Sequence, residues 1–398
     1  MTINVAETLR RNTRWSVLIF VIAQGMKFLL VPIVIAHIDY DGYTLVGLSF
    51  AFFSYMSLYN FGINTAYVNY TAEFHGKGEY ERLSRILSTG MAIGLAISLV
   101  LVCGVYFLND WLVDFWNVDP DLRDDARFTF FYVAVISLLT VTFGVYRSTL
   151  TGIQRIDAVT KNQLVWSVAE FFMVLAFLHM GYGVRAVVFI YGLSTVGPLF
   201  FNYLALKKIL PQVKVTFFRM TREEIRPLFS LGGRFTLVGV VGLILSTLDT
   251  LILAKYSGFV FTGAYLVARR FASRIQMLPQ QAFGPLAPAS ADLYARKDYA
   301  RLASVFAASL RIIGVVTAYI FVFTAVFSDV ILKAYLGSDK YLPVTAVALT
   351  ALCISLFVHT LTGPGTSMLK GAGLARYEIA YQVFTIVLFV SFYAVAKA

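Results

Sequence analysis

Residues Ile86–Leu108, ILSTGMAIGLAISLVLVCGVYFL, form a run without a single charged side chain. A helix of about twenty residues covers the roughly 30 Å hydrocarbon core of a bilayer. A core helix of a soluble protein is apolar along one face only, and it has no reason to be this long and apolar on every face. The stretch is therefore predicted to be a transmembrane helix.

Ten further stretches of similar length and character accompany this one, and the loops between them are too short to hold a soluble domain. The composition agrees, with 59% hydrophobic and 14% charged residues and a mean hydropathy of +0.74. The sequence predicts an all-α integral membrane protein with eleven spans. The other ten spans are Trp15–His37, Leu45–Tyr67, Phe128–Leu150, Gln163–Met180, Ala186–Leu206, Leu231–Ala254, Phe259–Gln281, Ala303–Phe327, Leu342–Thr362 and Ala380–Ala396.

Basic residues are divided unevenly between the two sides of these spans. The segments on the side of the amino terminus hold 19 Lys and Arg, whereas the opposite segments hold 7, together with ten Asp. Because cytoplasmic loops are enriched in Lys and Arg, the amino terminus is predicted to be cytoplasmic. Membrane topology thus explains the positive net charge of the chain. No nucleic-acid partner is expected.

Cysteine and histidine usage argues against a disulfide framework or a metal centre. Cys103 and Cys353 both fall in the middle of predicted spans, and the four histidines show no metal-ligand spacing. We therefore expect no metal site and no cofactor. His359 is interpreted as a packed residue of its span.

The two halves of the chain share short patterns at nearly one offset. Because each repeat would hold six spans, an even number, both halves should enter the membrane from the cytoplasm. This predicts two six-helix bundles related by a pseudo-twofold axis along the membrane normal, with a cavity between them. Ser148, Leu150 and Gly152 recur as Ser367, Leu369 and Gly371, an offset of 219, and Ile33–Ala36 matches Leu251–Ala254 at an offset of 218.

The repeat divides the chain into an amino-terminal lobe at 1–206 (spans 1–6), a cytoplasmic linker at 207–229 and a carboxy-terminal lobe at 230–398 (spans 7–11). By the same offset, the sixth span should have a partner near residues 404–424, beyond Ala398. A twelfth span is therefore expected to be missing from this sequence.

Several motifs along the chain resemble those of one transporter family. They are Leu58–Gly62 (LYNFG) with Tyr70–Glu73, Leu150–Arg155 (LTGIQR), Leu248–Leu253 (LDTLIL), Gly263–Arg270 (GAYLVARR), Pro285–Tyr294 and Leu336–Ser338. Over nearly its whole length the sequence resembles bacterial polysaccharide transporters of the O-antigen, or lipid-linked oligosaccharide, flippase type. These belong to the MOP superfamily, which also includes the MATE exporters and the lipid II flippase.

The resemblance implies a flippase of the bacterial cytoplasmic (inner) membrane that serves polysaccharide and lipopolysaccharide assembly. Its substrate would be a lipid-linked oligosaccharide diphosphate, moved to the outer leaflet by alternating access, with the lipid tail passing between the first and eighth spans. The implied partners are membrane lipids, a coupling proton or sodium ion, and a polysaccharide polymerase or other assembly proteins.

The eighth span carries the strongest signal for a substrate site. A charge within hydrocarbon is costly and marks a functional candidate. Arg269, Arg270, Arg274 and Gln276 are the candidate ligands, because guanidinium groups match phosphate oxygens. The alternative for Arg274 and Gln276 is that they only reach the cytoplasmic interface. One helical face, expected to line a cavity or meet another polar helix, holds Thr262, Tyr265, Arg269, Ser273, Gln276 and Gln280.

The first span holds a second set of candidates. Gln24 and Lys27 share a helical face and are candidate substrate ligands. Pro32, little more than a turn further on, would bend the helix and serve as a gate or hinge. The alternative for Lys27 is an ion pair with Glu170 inside the first lobe.

Four further polar residues lie in other spans. Asn60 and Asn64 share one face of the second span as candidate substrate ligands, with ordinary interhelical hydrogen bonding as the alternative. Asp249 either pairs with an arginine or binds a coupling cation, and Glu170 is assigned the same two alternatives. Arg311 lies at mid-depth in the ninth span and is a further candidate ligand.

The balance of these charges indicates the sign of the substrate. Five deep cations face two deep acids, which favours an anion such as a diphosphate. The alternative is a MATE-like cation-coupled small-molecule antiporter, which would need more intramembrane acids. A polysaccharide-processing enzyme would be expected to carry catalytic groups on a large outer loop or beside a cytoplasmic metal-binding motif. The longest outer segment, Asn109–Arg127, is too short, so no enzyme activity is expected.

Overall fold

The computed structural model describes residues 5–56, 60–280 and 286–372, together with 374, 377, 380, 381, 384, 385, 388 and 391. The described residues form helices joined by short connections, without a strand, which confirms the all-α prediction. Seven helical segments among them are long and apolar enough to cross a membrane. The count of eleven spans and the pseudo-twofold axis stay predictions, and most of the predicted span Ala380–Ala396 lies outside the described residues.

The helices α1 to α7 belong wholly or partly to a first compact unit, which comprises Met1–Leu243 and Ala254–Phe259. The predicted lobe boundaries stay a prediction. Within this unit α4 packs against α3 and α6, while α5 packs against α1 and α6. The bounds are Val5–Met56 for α1, Asn60–Lys77 for α2, Tyr80–Phe115 for α3, Arg123–Gly152 for α4, Ile156–His179 for α5, Val184–Ile209 for α6 and Ile225–Tyr256 for α7.

The helix α1 consists of two helical segments that meet at Asp39. This residue has φ 55° and ψ −176°, a non-helical conformation with positive φ that residues other than glycine rarely adopt. The break falls in the short segment between the first two predicted spans. The predicted span Leu45–Tyr67 is shared between two helices, because α1 ends at Met56 and α2 begins at Asn60, with 57–59 outside the described residues.

Small residues let the helices of the first unit approach closely, as is common in membrane proteins. Gly152, at the end of α4, faces α2. A Cβ atom at this position would lie 2.7 Å from the carbonyl oxygen of Val68 and 2.6 Å from the Cβ of Thr71. The sequence places Gly152 in the repeated motif, and the structure supplies a packing reason for a glycine there.

The predicted linker at 207–229 packs along α3. The backbone N–H groups of Lys214 and Thr216 donate to the hydroxyl oxygens of Ser84 and Ser88, each at 3.0 Å. The N–H of Thr221 donates to the hydroxyl of Thr89 at 3.0 Å. These bonds satisfy backbone N–H groups in the part of the linker between α6 and α7, and the linker belongs to the first unit.

Two side-chain contacts hold the end of the same segment. The Tyr70 hydroxyl donates to the carbonyl oxygen of Pro227 at 3.1 Å, and Arg82 lies 3.7 Å from the buried carboxylate of Glu224. Burial, and then the nearby Glu73 and Glu224 carboxylates, raise the pKa of Tyr70. The phenol therefore stays a neutral donor over the physiological pH range.

Removing the serine contacts should loosen the linker. We expect the double variant Ser84→Ala and Ser88→Ala to be cut faster by trypsin within 207–229, since each lost hydrogen bond contributes about 1 kcal/mol. Ser98→Ala is a matched control, because Ser98 is buried on the same helix and its hydroxyl has no hydrogen-bond partner among the described residues. Equal cleavage rates in the double variant and the control would contradict the role given to these serines.

The second unit comprises Ile244–Leu253 and Val260–Ala398. In it, α10 packs against α12, and α9 packs against α13. Asp298 caps the start of α10 by accepting a hydrogen bond from the Arg301 N–H at 3.1 Å. The bounds are Phe259–Gln280 for α8, Leu286–Ala295 for α9, Tyr299–Val326 for α10, Ser328–Leu336 for α11, Pro343–Leu361 for α12 and Gly363–Gly371 for α13.

Candidate functional site

The polar face predicted from the sequence lies on α8, in the second unit. The bounds of α8 match the predicted eighth span except for Gln281, which lies outside the described residues. The face changes in burial along the helix, since Thr262 and Gln276 are buried and Gln280 is exposed. The members between them are half-buried: Tyr265, Arg269 and Ser273, with Arg270 and Arg274 beside them.

An ion pair joins α8 to α7 at Asp249. A guanidinium N–H of Arg269 donates to one carboxylate oxygen of Asp249, and the Tyr265 hydroxyl donates to the other. Arg269 also donates to the hydroxyl oxygen of Thr250 at 3.2 Å, and its guanidinium carbon lies 5.9 Å from the centre of the Tyr265 ring. Tyr265 and Arg269 can share one carboxylate because they are four residues apart on one helical face.

This arrangement fixes the position of the Arg269 guanidinium. The side chains of Arg269 and Asp249 are 24% and 26% exposed, so solvent screens their attraction only in part. Of the two alternatives that the sequence leaves open for Asp249, the structure shows the arginine pair. The carboxylate therefore orients Arg269 and offsets one of the charges carried by α8.

The carboxy-terminal half of the α8 face contacts α12. The Gln276 side-chain amide lies 3.1 Å from the Nδ1 of His359 and donates to the Thr360 hydroxyl at 3.3 Å. Gln276 thus meets another polar helix surface within the second unit. A guanidinium nitrogen of Arg274 lies 3.8 Å from the sulfur of Met277, which is three residues further along α8.

Lys27 and Glu170 form an ion pair between α1 and α5 in the first unit. The Lys27 Nζ lies 3.4 Å from the Glu170 carboxylate, and the two side chains are 38% and 2% exposed. Neither carboxylate oxygen accepts a hydrogen bond from the described residues. This is the alternative that the sequence leaves open for Lys27, and it places a cation beside a buried acid. A role of Lys27 in substrate binding stays a prediction.

The other predicted site residues are dispersed. The Asn64 amide oxygen accepts a hydrogen bond from the Ser148 hydroxyl at 3.1 Å, which is interhelical packing between α2 and α4. The side chain of Asn60 lies outside the described residues. Gln24 and Pro32 are half-buried on α1. Arg311 is exposed on α10.

The structure thus brings together Asp249 with Arg269, and Lys27 with Glu170, each pair within its own unit. The sequence does not predict that Tyr265 donates a hydrogen bond to Asp249 or that Thr250 accepts one from Arg269. Tyr265 could have been found, because it lies one helical turn before Arg269 on the same polar face. Thr250 has no comparable signal, since a hydroxyl next to an acid in an apolar span is an ordinary sequence feature.

Sequence reasoning also missed an apolar pocket in the first unit, of about 350 Å³ including its open mouth. It lies between α1, α4 and α6, and no local pattern in the sequence marks it. The aromatic residues that line it are Phe50, Phe53, Tyr132 and Tyr191.

The model of a family described as polysaccharide biosynthesis protein matches residues 9–294 of this chain. No curated protein matches the sequence. Solved structures with a similar fold include an inward-facing multidrug resistance MATE family transporter of the MOP superfamily. That structure has a TM-score of 0.76 and 16% identity, with 91% of this chain and 84% of that chain covered.

Two further structures share the fold. The lipid II flippase MurJ in an inward closed conformation has a TM-score of 0.69 and 14% identity, with coverage of 90% of this chain and 76% of that chain. A MOP superfamily transporter from Pyrococcus furiosus, described as having a binding pocket of reverse polarity, has a TM-score of 0.65 and 14% identity. The respective coverage is 94% and 84%. Because the family model matches more than two thirds of the chain, this multi-pass membrane protein belongs to the polysaccharide biosynthesis protein family and has the fold of MOP superfamily transporters.

Proposed function

We propose that this protein is a flippase that moves a lipid-linked oligosaccharide diphosphate from the cytoplasmic to the outer leaflet by alternating access. Membership of the polysaccharide biosynthesis family supports a glycan cargo, and the fold is that of a lipid II flippase among others. The observation that carries the proposal is the balance of charges within the membrane-embedded helices.

Both deep acids are already engaged by basic side chains. Glu170 is paired with Lys27, and Asp249 is paired with Arg269. The predicted spans contain five deep cations against these two acids, so the excess is three positive charges. An organic cation would have to displace a lysine or an arginine to reach a carboxylate. A diphosphate is attracted by the excess charge.

The arginines of α8 suit a diphosphate in their spacing as well as in their sign. Arg269, Arg270 and Arg274 lie within six residues of one helix, and guanidinium groups bind phosphate oxygens through paired N–H donors. Asp249 and Tyr265 hold Arg269 in place before the substrate arrives. A pre-positioned side chain loses less conformational entropy on binding, which raises the affinity that the contact contributes.

The second candidate function is a MATE-like cation-coupled antiporter of small molecules. The fold supports it, since an inward-facing MATE transporter is among the most similar structures reported above. In that case Asp249 or Glu170 would bind the coupling proton or sodium ion. The paired state of both acids favours the flippase.

Reconstituted vesicles separate the two functions. We expect the protein to flip a fluorescent polyprenyl diphosphate carrying a short oligosaccharide, measured as fluorescence that dithionite quenches from outside. Vesicles without protein, and vesicles given the cationic dye ethidium, are the controls. Transport of ethidium without movement of the glycolipid would favour the antiporter.

The remaining parts of the proposal follow from the flippase function. The protein would lie in the bacterial cytoplasmic membrane with its amino terminus in the cytoplasm and serve O-antigen or other lipopolysaccharide assembly. The diphosphate would be bound by Arg269, Arg270 and Arg274, with a proton or sodium ion as the coupling ion. A polysaccharide polymerase or another assembly protein would receive the product.

The Lys27–Glu170 pair should contribute to stability rather than to transport. Lys27→Met leaves a buried carboxylate without its cation, a change that costs about 3–5 kcal/mol in a fully buried pair and less here, since Lys27 is 38% exposed. The double variant Lys27→Met and Glu170→Met should recover most of this stability. Thermal unfolding in detergent of the parent chain, Lys27→Met, Glu170→Met and the double variant measures the coupling.

The flipping rate of the same variants distinguishes the two roles of Lys27. Full flipping by the double variant agrees with a structural pair. A flipping defect in both Lys27 variants, with unchanged unfolding temperatures, would show that Lys27 acts on the substrate instead.

A further inference from the structure

Two histidines that are far apart in the sequence meet in the first unit. His37 lies near the end of the first helical segment of α1, and His179 is the last residue of α5. Their ring centroids are 5.4 Å apart, with the ring planes tilted by 50°. Both side chains are exposed, so dissolved ions can reach them. The sequence predicts no metal site because the histidines lack local ligand spacing, and the fold supplies the proximity instead.

Each imidazole is held in a tautomer that leaves its Nε2 able to bind a metal ion. The Nδ1 of His37 lies 2.8 Å from the carbonyl oxygen of Ile33, and the Nδ1 of His179 lies 2.8 Å from that of Leu175. A carbonyl oxygen only accepts hydrogen bonds, so Nδ1 must carry the proton in both rings. The lone pair is then on Nε2 in each case. Metal-binding histidines are commonly fixed in this way by a backbone carbonyl.

The spacing of the two rings also fits a shared ion. With metal–nitrogen bonds of about 2.0–2.1 Å and a tetrahedral angle, two imidazole centroids around one zinc ion lie about 5 Å apart. Both histidines lie in the last turns of helical segments, since the first segment of α1 ends at Asp39 and α5 ends at His179. Helix carboxyl termini carry partial negative charge, which favours a cation there.

We propose that His37 and His179 form a two-histidine binding site for a divalent transition-metal ion of the kind that imidazole prefers, such as Zn²⁺, Ni²⁺ or Cu²⁺. The described residues contain no group of three or more His, Cys, Asp or Glu side chains able to hold a metal, so water completes the coordination. The site lies on the side predicted to face away from the cytoplasm.

A metal ion at this site would join two helices. Pro32 lies five residues before His37 in α1, and the proline removes a backbone hydrogen bond at that level of the helix. An ion bound by both histidines would restrain the part of α1 beyond Pro32 against the end of α5. The site therefore offers control of α1 by an external metal, and it does not depend on the identity of the transported substrate.

The test uses the full-length protein in detergent, purified without a polyhistidine tag. Titration with Cu²⁺, followed by electron paramagnetic resonance, should show one saturable ion with splitting from two imidazole nitrogens. Calorimetry with Zn²⁺ should give one site per chain. His37→Gln and His179→Gln should each weaken binding by at least about 100-fold, because the second ligand no longer acts together with the first.

His75→Gln is the matched control, since His75 is an exposed histidine at the end of α2 and its ring contacts Tyr80. It should bind the ions as the parent chain does. The proposal is overturned if the parent chain shows no saturable binding or a signal from one nitrogen. It is also overturned if either site variant retains the parent affinity. The signal from the parent chain needs no variant, so the test does not depend on the folding of the substituted proteins.

Discussion

Replacing Arg269 and Arg270 together by Ala should abolish flipping of the lipid-linked glycan while the protein still inserts into the membrane. Each charge-assisted hydrogen bond to a phosphate contributes about 1.5–3 kcal/mol, so two lost contacts should slow flipping by more than about 100-fold. Replacement by two lysines keeps the charge but loses the planar donors, so it should give an intermediate rate. The measurement is dithionite quenching in proteoliposomes.

Two controls make this result interpretable. Arg296→Ala with Lys297→Ala removes an adjacent, exposed basic pair from the end of α9 and should leave flipping unchanged. Asp249→Asn with Arg269→Gln and Arg270→Ala removes the arginines without leaving a carboxylate that lacks its cation. Normal unfolding temperature with lost flipping in this triple variant assigns the effect to substrate binding. Full activity of the double Ala variant would refute the assignment of these arginines.

Replacing Gly152 by Val should prevent stable folding of the first unit. The added Cβ would meet the carbonyl oxygen of Val68 at 2.7 Å, and this backbone atom cannot rotate away. The helices α2 and α4 would have to separate. Overpacking of this kind typically costs about 1–3 kcal/mol, so Gly152→Ala should be destabilised by about that amount and Gly152→Val by more. Thermal unfolding in detergent and the yield of extracted protein measure the loss.

Gly104→Ala is the matched control for this prediction. Gly104 lies inside α3, and a Cβ there would meet nothing within 4 Å. Alanine should therefore be neutral or slightly stabilising, since it favours helix more than glycine does by about 1 kcal/mol. Similar unfolding temperatures for Gly152→Ala and Gly104→Ala would contradict the close approach of α2 and α4.

The sequence predicts α8 well because a helix with one polar face has a period that local spacing reveals. Its bounds, Phe259–Gln280, differ from the predicted span only by Gln281, which lies outside the described residues. The sequence predicts less well which residues contact that polar face. Asp249 is close in the chain, so its pairing with an arginine could be kept as an alternative. The contact between Gln276 and His359 joins helices far apart in sequence, and no local pattern carries it.

The packed linker shows a second limit of sequence reasoning. Its basic and polar composition favours a connection exposed to the cytoplasm. Many of its side chains are exposed in the structure, but its backbone also donates hydrogen bonds to Ser84 and Ser88 of α3. Serine is tolerated in a membrane helix for several reasons, so these two residues do not identify a partner. For the same reason, no local pattern links His37 with His179, which lie on helices far apart in the chain.

The Asp249–Arg269 pair has a consequence for how this protein is made. An Arg at the centre of a membrane helix, where Arg269 lies in the predicted eighth span, raises the free energy of inserting that helix by about 2.5–3.5 kcal/mol when it enters alone. Asp249 lies nearer the end of the predicted seventh span, so its own cost is smaller. The pair partly cancels this cost if both helices leave the translocon together. Only Ser257 and Gly258 separate α7 from α8, and Gly258 has a φ of 82° that suits a tight turn. We therefore expect α7 and α8 to insert as a hairpin, and Asp249→Lys to impair the membrane integration of both helices.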